Sequence, residues 1–139
     1  NGLPDSNDHP QNKLLFDAII NTETDIIALA ELNKCWHMLP SCHRWKSRIM
    51  SWWECSKTTF AYNTTDSVST SFQPGGVLIA SIDKAAHRVI DSGIDESKLG
   101  RWCWQRFRGK ENIILRVITA YIPCKILSSG PNTTWSQQL

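Results

Sequence analysis

Long apolar runs are missing from this chain. No stretch approaches the roughly 20 residues that a membrane-crossing helix needs, and the first residues lack the basic-then-apolar layout of a secretory signal. An excess of charge is missing too: 15 Lys and Arg stand against 13 Asp and Glu, a formal net charge of +2. So small an imbalance does not demand a polyanionic partner, so any nucleic-acid binding must be argued from a site. There is no Cys-x-x-Cys pair, no internal repeat and no low-complexity tract. The five cysteines (Cys35, Cys42, Cys55, Cys103, Cys124) are an odd set at irregular spacing. That argues against a closed disulfide framework and mildly favours a reducing compartment, hence an intracellular protein of nucleus or cytoplasm without a membrane segment. Asn63–Thr64–Thr65 and Asn132–Thr133–Thr134 fit the glycosylation acceptor pattern, which carries little weight without a signal peptide.

The 139 residues suit one domain with a real core, and an apolar fraction of 41% is that of an ordinary globular protein. The chain opens on Asn1–Gly2 without an initiator Met and closes on the polar run Asn132 to Leu139. The expectation is a piece of something longer.

The most informative segment is Asp25–Ile26–Ile27–Ala28–Leu29–Ala30, nearly all apolar, which delivers Glu31 at its end with Leu32–Asn33 behind. Such a run predicts a strand covered on both faces. Carboxyl ends of such strands line the crevice where α/β proteins place their sites, so Glu31 is expected to be rigidly presented and partly desolvated, as a ligand for a divalent cation should be. The plainer alternative is a solvated carboxylate at a strand end.

Upstream, residues 1–10 predict a loop, and Leu14, Leu15, Ala18 and Ile19 recur at helical spacing over Asn12 to Glu23. Downstream, strands are predicted at Thr58–Tyr62 and at Val77–Ala80 after the Pro74–Gly75–Gly76 turn, with a weaker one at His87–Ile90. Polar loops are expected at Asn63–Ser71 and Asp91–Leu99. Arg101 to Phe107 alternates large and polar side chains, and Ile113 to Ile122 returns after Arg108–Asn112, predicting an antiparallel hairpin. Strands outnumber helices and consecutive ones are antiparallel neighbours, so the class is α+β rather than a doubly wound parallel fold.

Two further constellations are present. Cys35, His37, Cys42, His43 and Cys55 place thiols and imidazoles close enough in sequence for a zinc site, but at no standard spacing, so a Trp-rich cover with cysteines as small apolar residues is the favoured reading. Trp36, Trp45, Trp52 and Trp53, with Lys34, Arg44, Lys46 and Arg48 among them, could stack on bases beside phosphate-binding cations, or simply pack over the sheet. Arg101, Arg106, Arg108 and Lys110 read as the solvated face and tip of the hairpin.

Four segments in order, Asn1–Gly2–Leu3, Ala30–Glu31–Leu32–Asn33, Gly75–Gly76–Val77–Leu78–Ile79 and Thr119–Ala120–Tyr121–Ile122–Pro123, give the chain a resemblance to the endonuclease/exonuclease/phosphatase family, whose fold is that of pancreatic deoxyribonuclease. Gly100–Arg101–Trp102 and Ala120–Tyr121–Ile122–Pro123–Cys124 look most like endonuclease domains of non-LTR retrotransposons and related reverse-transcriptase-bearing elements. The resemblance spans residues 1–139 but only the first half or so of the family's domain. It implies the N-terminal half of a four-layered α/β sandwich with a mainly antiparallel mixed sheet. It further implies a phosphodiester endonuclease dependent on Mg²⁺ or Mn²⁺, with DNA as substrate and a polyprotein carrying reverse transcriptase as context. By it, Glu31 is the metal-binding glutamate and Tyr121 the tyrosine that approaches the scissile phosphate. Asn1 falls in the early Asn-x-x-Gly region beside that motif's asparagine, and Asn33 joins it as a nucleic-acid contact. Cys124 stands where the apurinic branch usually has Asn. The later Gly-Asp-x-Asn and Ser-Asp-His motifs do not occur, and His9, His37, His43 and His87 offer no base placed beside a carboxylate. The expectation is therefore the metal-binding half of a site with little turnover. A non-catalytic nucleic-acid-binding module, and a phosphatase of the same fold, are the alternatives.

Overall fold

The computed structural model describes residues 4, 6, 8–64 and 73–123. Helix α1 (Pro10–Asn21) begins with Pro at its first position, where a missing N–H costs nothing, and His9 Nδ1 caps the Gln11 N–H at 3.2 Å. Strand β1 (Ile26–Leu29) follows, and then two short 3₁₀ turns, Trp36–Met38 and Ser41–His43, lead into α2 (Trp45–Trp52). Next come β2 (Ser56–Ala61), β3 (Val77–Ile82), α3 (Asp83–Arg88), β4 (Val89–Ile94), β5 (Trp102–Arg108) and β6 (Ile114–Ala120). The strands form two three-stranded sheets, ordered β1-β3-β2 and β4-β5-β6. Every strand pairing in them is antiparallel, so the parallel component of the expected mixed sheet is not found among the described residues. The class is α+β.

Alternation along β3 organises the interior. All six of its residues are buried. Leu78, Ala80 and Ile82 join one cluster with Ile19, Ile27, Leu32, Trp36, Trp45, Ile49 and Trp53, drawn largely from α1, α2 and the segment between β1 and β2. Val77 and Ile79, with Ala61, join a second cluster with Cys103 of β5, edged by Ile26, Val117 and Tyr121. A central strand with apolar cover on both faces has this period-two division. Between the sheets sits one polar knot. Ser81 Oγ donates to Gln105 Oε1, and Gln105 Nε2 donates to Lys57 O (3.0 Å), Thr59 Oγ1 (3.1 Å) and Ile79 O (3.4 Å). Such a satisfied buried amide specifies how β5 sits on β2 and β3.

Several sequence expectations change. Strand β1 lies at the edge of its sheet, with β3 as its partner among the described residues, and is not covered on both faces: Ile27 is buried but Ala28 is exposed. The inward face of α1 is Asn12, Leu15, Phe16 and Ile19, while Leu14 and Ala18 face outward. Partners explain the rotation: Asn12 Oδ1 accepts from the buried Arg48 guanidinium at 3.0 Å, and Phe16 lies 5.5 and 5.3 Å from the Trp52 and Trp53 rings. Helix α3 was not anticipated, and β4 runs through the first half of the expected loop Asp91–Leu99. The Trp-rich stretch is cover, with Trp36 and Trp45 fully buried. Its two arginines are engaged: Arg44 donates to Leu39 O and His37 O, and Arg48 lies over the Trp45 ring at 4.6 Å.

No helix among the described residues is long and apolar enough to cross a membrane. Cys35, Cys42, Cys55 and Cys103 are free thiols, and burial pushes Cys103 up to about 12 against a hydrogen bond to the Ile79 backbone that lowers it.

Candidate functional site

Pairing registers define one end of both sheets. Leu29 opposes Leu78 and Ala61 opposes Val77, so the carboxyl ends of β1 and β2 meet the start of β3. Ile94 opposes Cys103 and Trp102 opposes Ala120, so the end of β4, the start of β5 and the end of β6 also coincide. A seam of backbone hydrogen bonds ties the two ends together. Leu32 N–H donates to Gly76 O at 3.1 Å, Asn33 N–H to Gly75 O at 2.8 Å, Gly76 N–H to Gly100 O at 2.9 Å, and Tyr121 N–H to Arg101 O at 2.7 Å. The three described segments that carry the family resemblance thus converge, linked through the Gly100–Arg101 turn.

Two glycines permit the approach. Gly76 (φ 89°) and Gly100 (φ 66°) are left-handed, and a Cβ on Gly100 would stand 2.6 Å from the Tyr62 carbonyl carbon. Asp95 sets the turn before Gly100. It is buried, and its Oδ1 accepts from Ser97 N–H at 2.9 Å, its Oδ2 from Arg101 N–H at 2.9 Å, and the Arg101 Nε lies 3.7 Å away. Burial pushes this carboxyl up, but hydrogen bonds from Ser97 and Arg101 and the Arg101 charge outweigh it and hold the group below its ordinary value. A depressed carboxyl stabilises the fold above the unfolded-state value near ~3.9, and that contribution is lost as pH falls through the folded value. Asp95→Asn should therefore cost about 2 kcal/mol at pH 7, a charge-assisted hydrogen-bond loss. In denaturant melts, the gap from wild type should narrow below about pH 4.

The candidate residues fall out unequally. Glu31 is exposed, with no hydrogen bond or ion pair to any described residue, so the expected partial desolvation is overturned. The cause is local: Glu31 adopts φ 57°, and this turn sends Leu32 into the core and the carboxylate outward. Asn33 (φ 44°) spends its side chain on the same turn, its Oδ1 accepting from Gly75 N–H at 3.1 Å. Tyr121 is half-buried against the cluster between the sheets. Asn1 lies outside the described residues, as do Cys124, the second acceptor tripeptide and most of the Asn63–Ser71 loop.

Other groups at this end were misread or missed. Asn63 is buried with Nδ2 donating to Pro74 O at 3.2 Å, which removes it as a glycosylation acceptor in the folded chain. Asp95 sits two residues before Ser97, a spacing that signals a side-chain-closed turn. The zinc constellation is dispersed: Cys35 Sγ lies 3.6 Å from His37 Nδ1, whereas Cys55 Sγ lies 3.2 Å from His87 Nε2 on α3. No group of three His, Cys, Asp or Glu positioned to hold a metal ion is found among the described residues.

No family model matches this chain, and neither a curated protein nor a solved structure does.

Proposed function

We propose that this chain is the metal-binding half of a phosphodiester endonuclease domain of the endonuclease/exonuclease/phosphatase type, from the DNA-nicking part of a retroelement. The single observation that supports this reading most is the seam from Leu32 through Gly76 and Gly100–Arg101 to Tyr121, which gathers the resembling segments at one end of two sheets. On this reading the two sheets and the helices over β3 are part of the four-layered sandwich, and the polypeptide context is intracellular.

The fit of a divalent cation can be stated from the side chains present. Glu31 offers one carboxylate, open to a hydrated ion. Asn33 Oδ1 and both Asp95 oxygens are already committed to backbone N–H groups. One carboxylate suits Mg²⁺ or Mn²⁺, which keep several waters when bound. When bound, such an ion neutralises charge on the phosphate and stabilises the leaving oxygen. Tyr121, held by the Arg101 carbonyl at the end of the hairpin, would orient the phosphate by a phenol hydrogen bond that strengthens as charge develops. No general base is placed beside Glu31 or Tyr121 among the described residues, so isolated turnover should be close to background.

The test is a Mn²⁺ titration of wild type against Glu31→Gln, with plasmid nicking alongside. A loss of about tenfold in affinity, or roughly 1.4 kcal/mol, is expected in the variant. Identical binding removes the metal claim, and robust nicking that Glu31→Ala abolishes removes the claim of a half site. The exposed setting of Glu31 favours a second reading, a non-catalytic nucleic-acid-binding module of the same fold. DNA binding that is independent of metal and untouched by Glu31→Gln would establish that module instead.

A further inference from the structure

At the opposite end of the sheets two adjoining clefts open, of about 340 and 290 Å³. The larger has an apolar floor of Ile26, Ala85, Phe107 and Leu115, drawn from β1, α3, β5 and β6. Lys84, Arg88 and Arg108 also line it, and Asp25 is the one carboxylate in the lining. The smaller cleft shares Arg88, Arg108 and Gly109 and adds His87, Ile90 and Lys110. Arg88 and Arg108 therefore stand on the wall common to both.

These cations differ from others of the hairpin. Arg106 is paired with Asp91 at 2.9 Å, and Arg101 lies against Asp95. The side chains of Lys84, Arg88, Arg108 and Lys110 are exposed and make no hydrogen bond or ion pair with any described residue. Four like charges repel one another, and Asp25 is the one carboxylate lining either cleft to offset them, so an anion lodged among them would relieve the remaining excess. Two guanidiniums that line both clefts suit the forked hydrogen bonding of a phosphate, and the volume of the apolar cleft is that of a small-ligand site.

We infer that this end of the molecule binds a small organic phosphate monoester, its apolar body in the cleft floored by Phe107 and Leu115 and its dianionic head between Arg88 and Arg108. The site is independent of the nuclease reading, since Glu31 and Tyr121 lie at the other end of the sheets. Direct binding of 1-naphthyl phosphate by calorimetry tests it on the whole chain. Expected is one-to-one binding, weakened at least tenfold both for 1-naphthol and for inorganic phosphate alone. The Arg88→Gln/Arg108→Gln double variant should weaken naphthyl phosphate at least tenfold, with an unchanged melting temperature because both side chains are exposed and unpaired. Leu115→Glu should weaken it as well, and Glu31→Gln should leave it unchanged. Binding that survives the double variant overturns the proposal. So does inorganic phosphate binding as tightly as the ester, or a DNA duplex depending on these arginines while naphthyl phosphate fails to bind.

Discussion

Replacing Gly100 with alanine should lower the melting temperature by about 10 °C, a loss of about 3 kcal/mol for a domain of this size. Two costs combine. The residue sits at φ 66°, which an L side chain adopts only with strain, and the added methyl would meet the Tyr62 carbonyl carbon and Asn63 nitrogen at 2.6 and 2.7 Å. Those are backbone atoms just beyond the end of β2, so no rotamer change relieves the clash. The displacement should propagate, because Gly100 O accepts the Gly76 N–H and Gly76 O accepts the Leu32 N–H. Amide exchange at Gly76 and Leu32 should quicken in the variant more than exchange in the middle of β5. Equal protection at those amides would show that the seam does not couple the Glu31 turn to Gly100.

Trp36→Ala should be costlier still, about 4 kcal/mol and a fall of roughly 12 °C in melting temperature. The ring is fully buried beneath α2, with Trp45 at 6.0 Å and Phe60 at 5.9 Å, both edge-on. Its removal leaves a hole bounded by rigid rings that cannot collapse into it. Trp36→Phe should recover most of the loss, since the indole Nε1 makes no hydrogen bond with any described residue and the smaller ring keeps much of the contact. Thermal denaturation of the two variants side by side checks this, and near-equal melting temperatures would mean that volume is not what Trp36 contributes.

Much of the secondary structure was legible because it rests on period and punctuation. Val77–Ala80 declared itself as a buried strand by a continuous apolar run after Pro74–Gly75–Gly76, and the hairpin of β5 and β6 by the alternation of Arg101 to Phe107, a turn of about five residues and the apolar return of Ile113 to Ile122. The edge position of β1 was not legible, since an apolar run does not say how many neighbours will pair with it. Helix α3 was too short for a periodic signal, and β4 was masked by the solvent-facing Asp91 and Ser92 and by Gly93, which lies against the Trp104 ring. At the candidate site, Glu31 stood out as the end of an apolar run and Tyr121 through the resemblance, but the left-handed turn that sends Leu32 into the core and the Glu31 carboxylate outward was not legible. Asp95 went unnoticed because its role depends on Arg101, six residues on, folding back to it.

Taken alone, the residues determined the class, α1, the strands β2, β3, β5 and β6 in outline, and the absence of any run able to span a membrane as a helix, because these depend on neighbours near in sequence. Tertiary structure decided which cations remain unpaired, which carboxylates are committed, and which end of the sheets gathers the glycine turns. Those outcomes hang on contacts between segments tens of residues apart, such as Gly76 with Gly100 and Arg48 with Asn12, whose geometry is set only when both sheets and their helical cover close around β3.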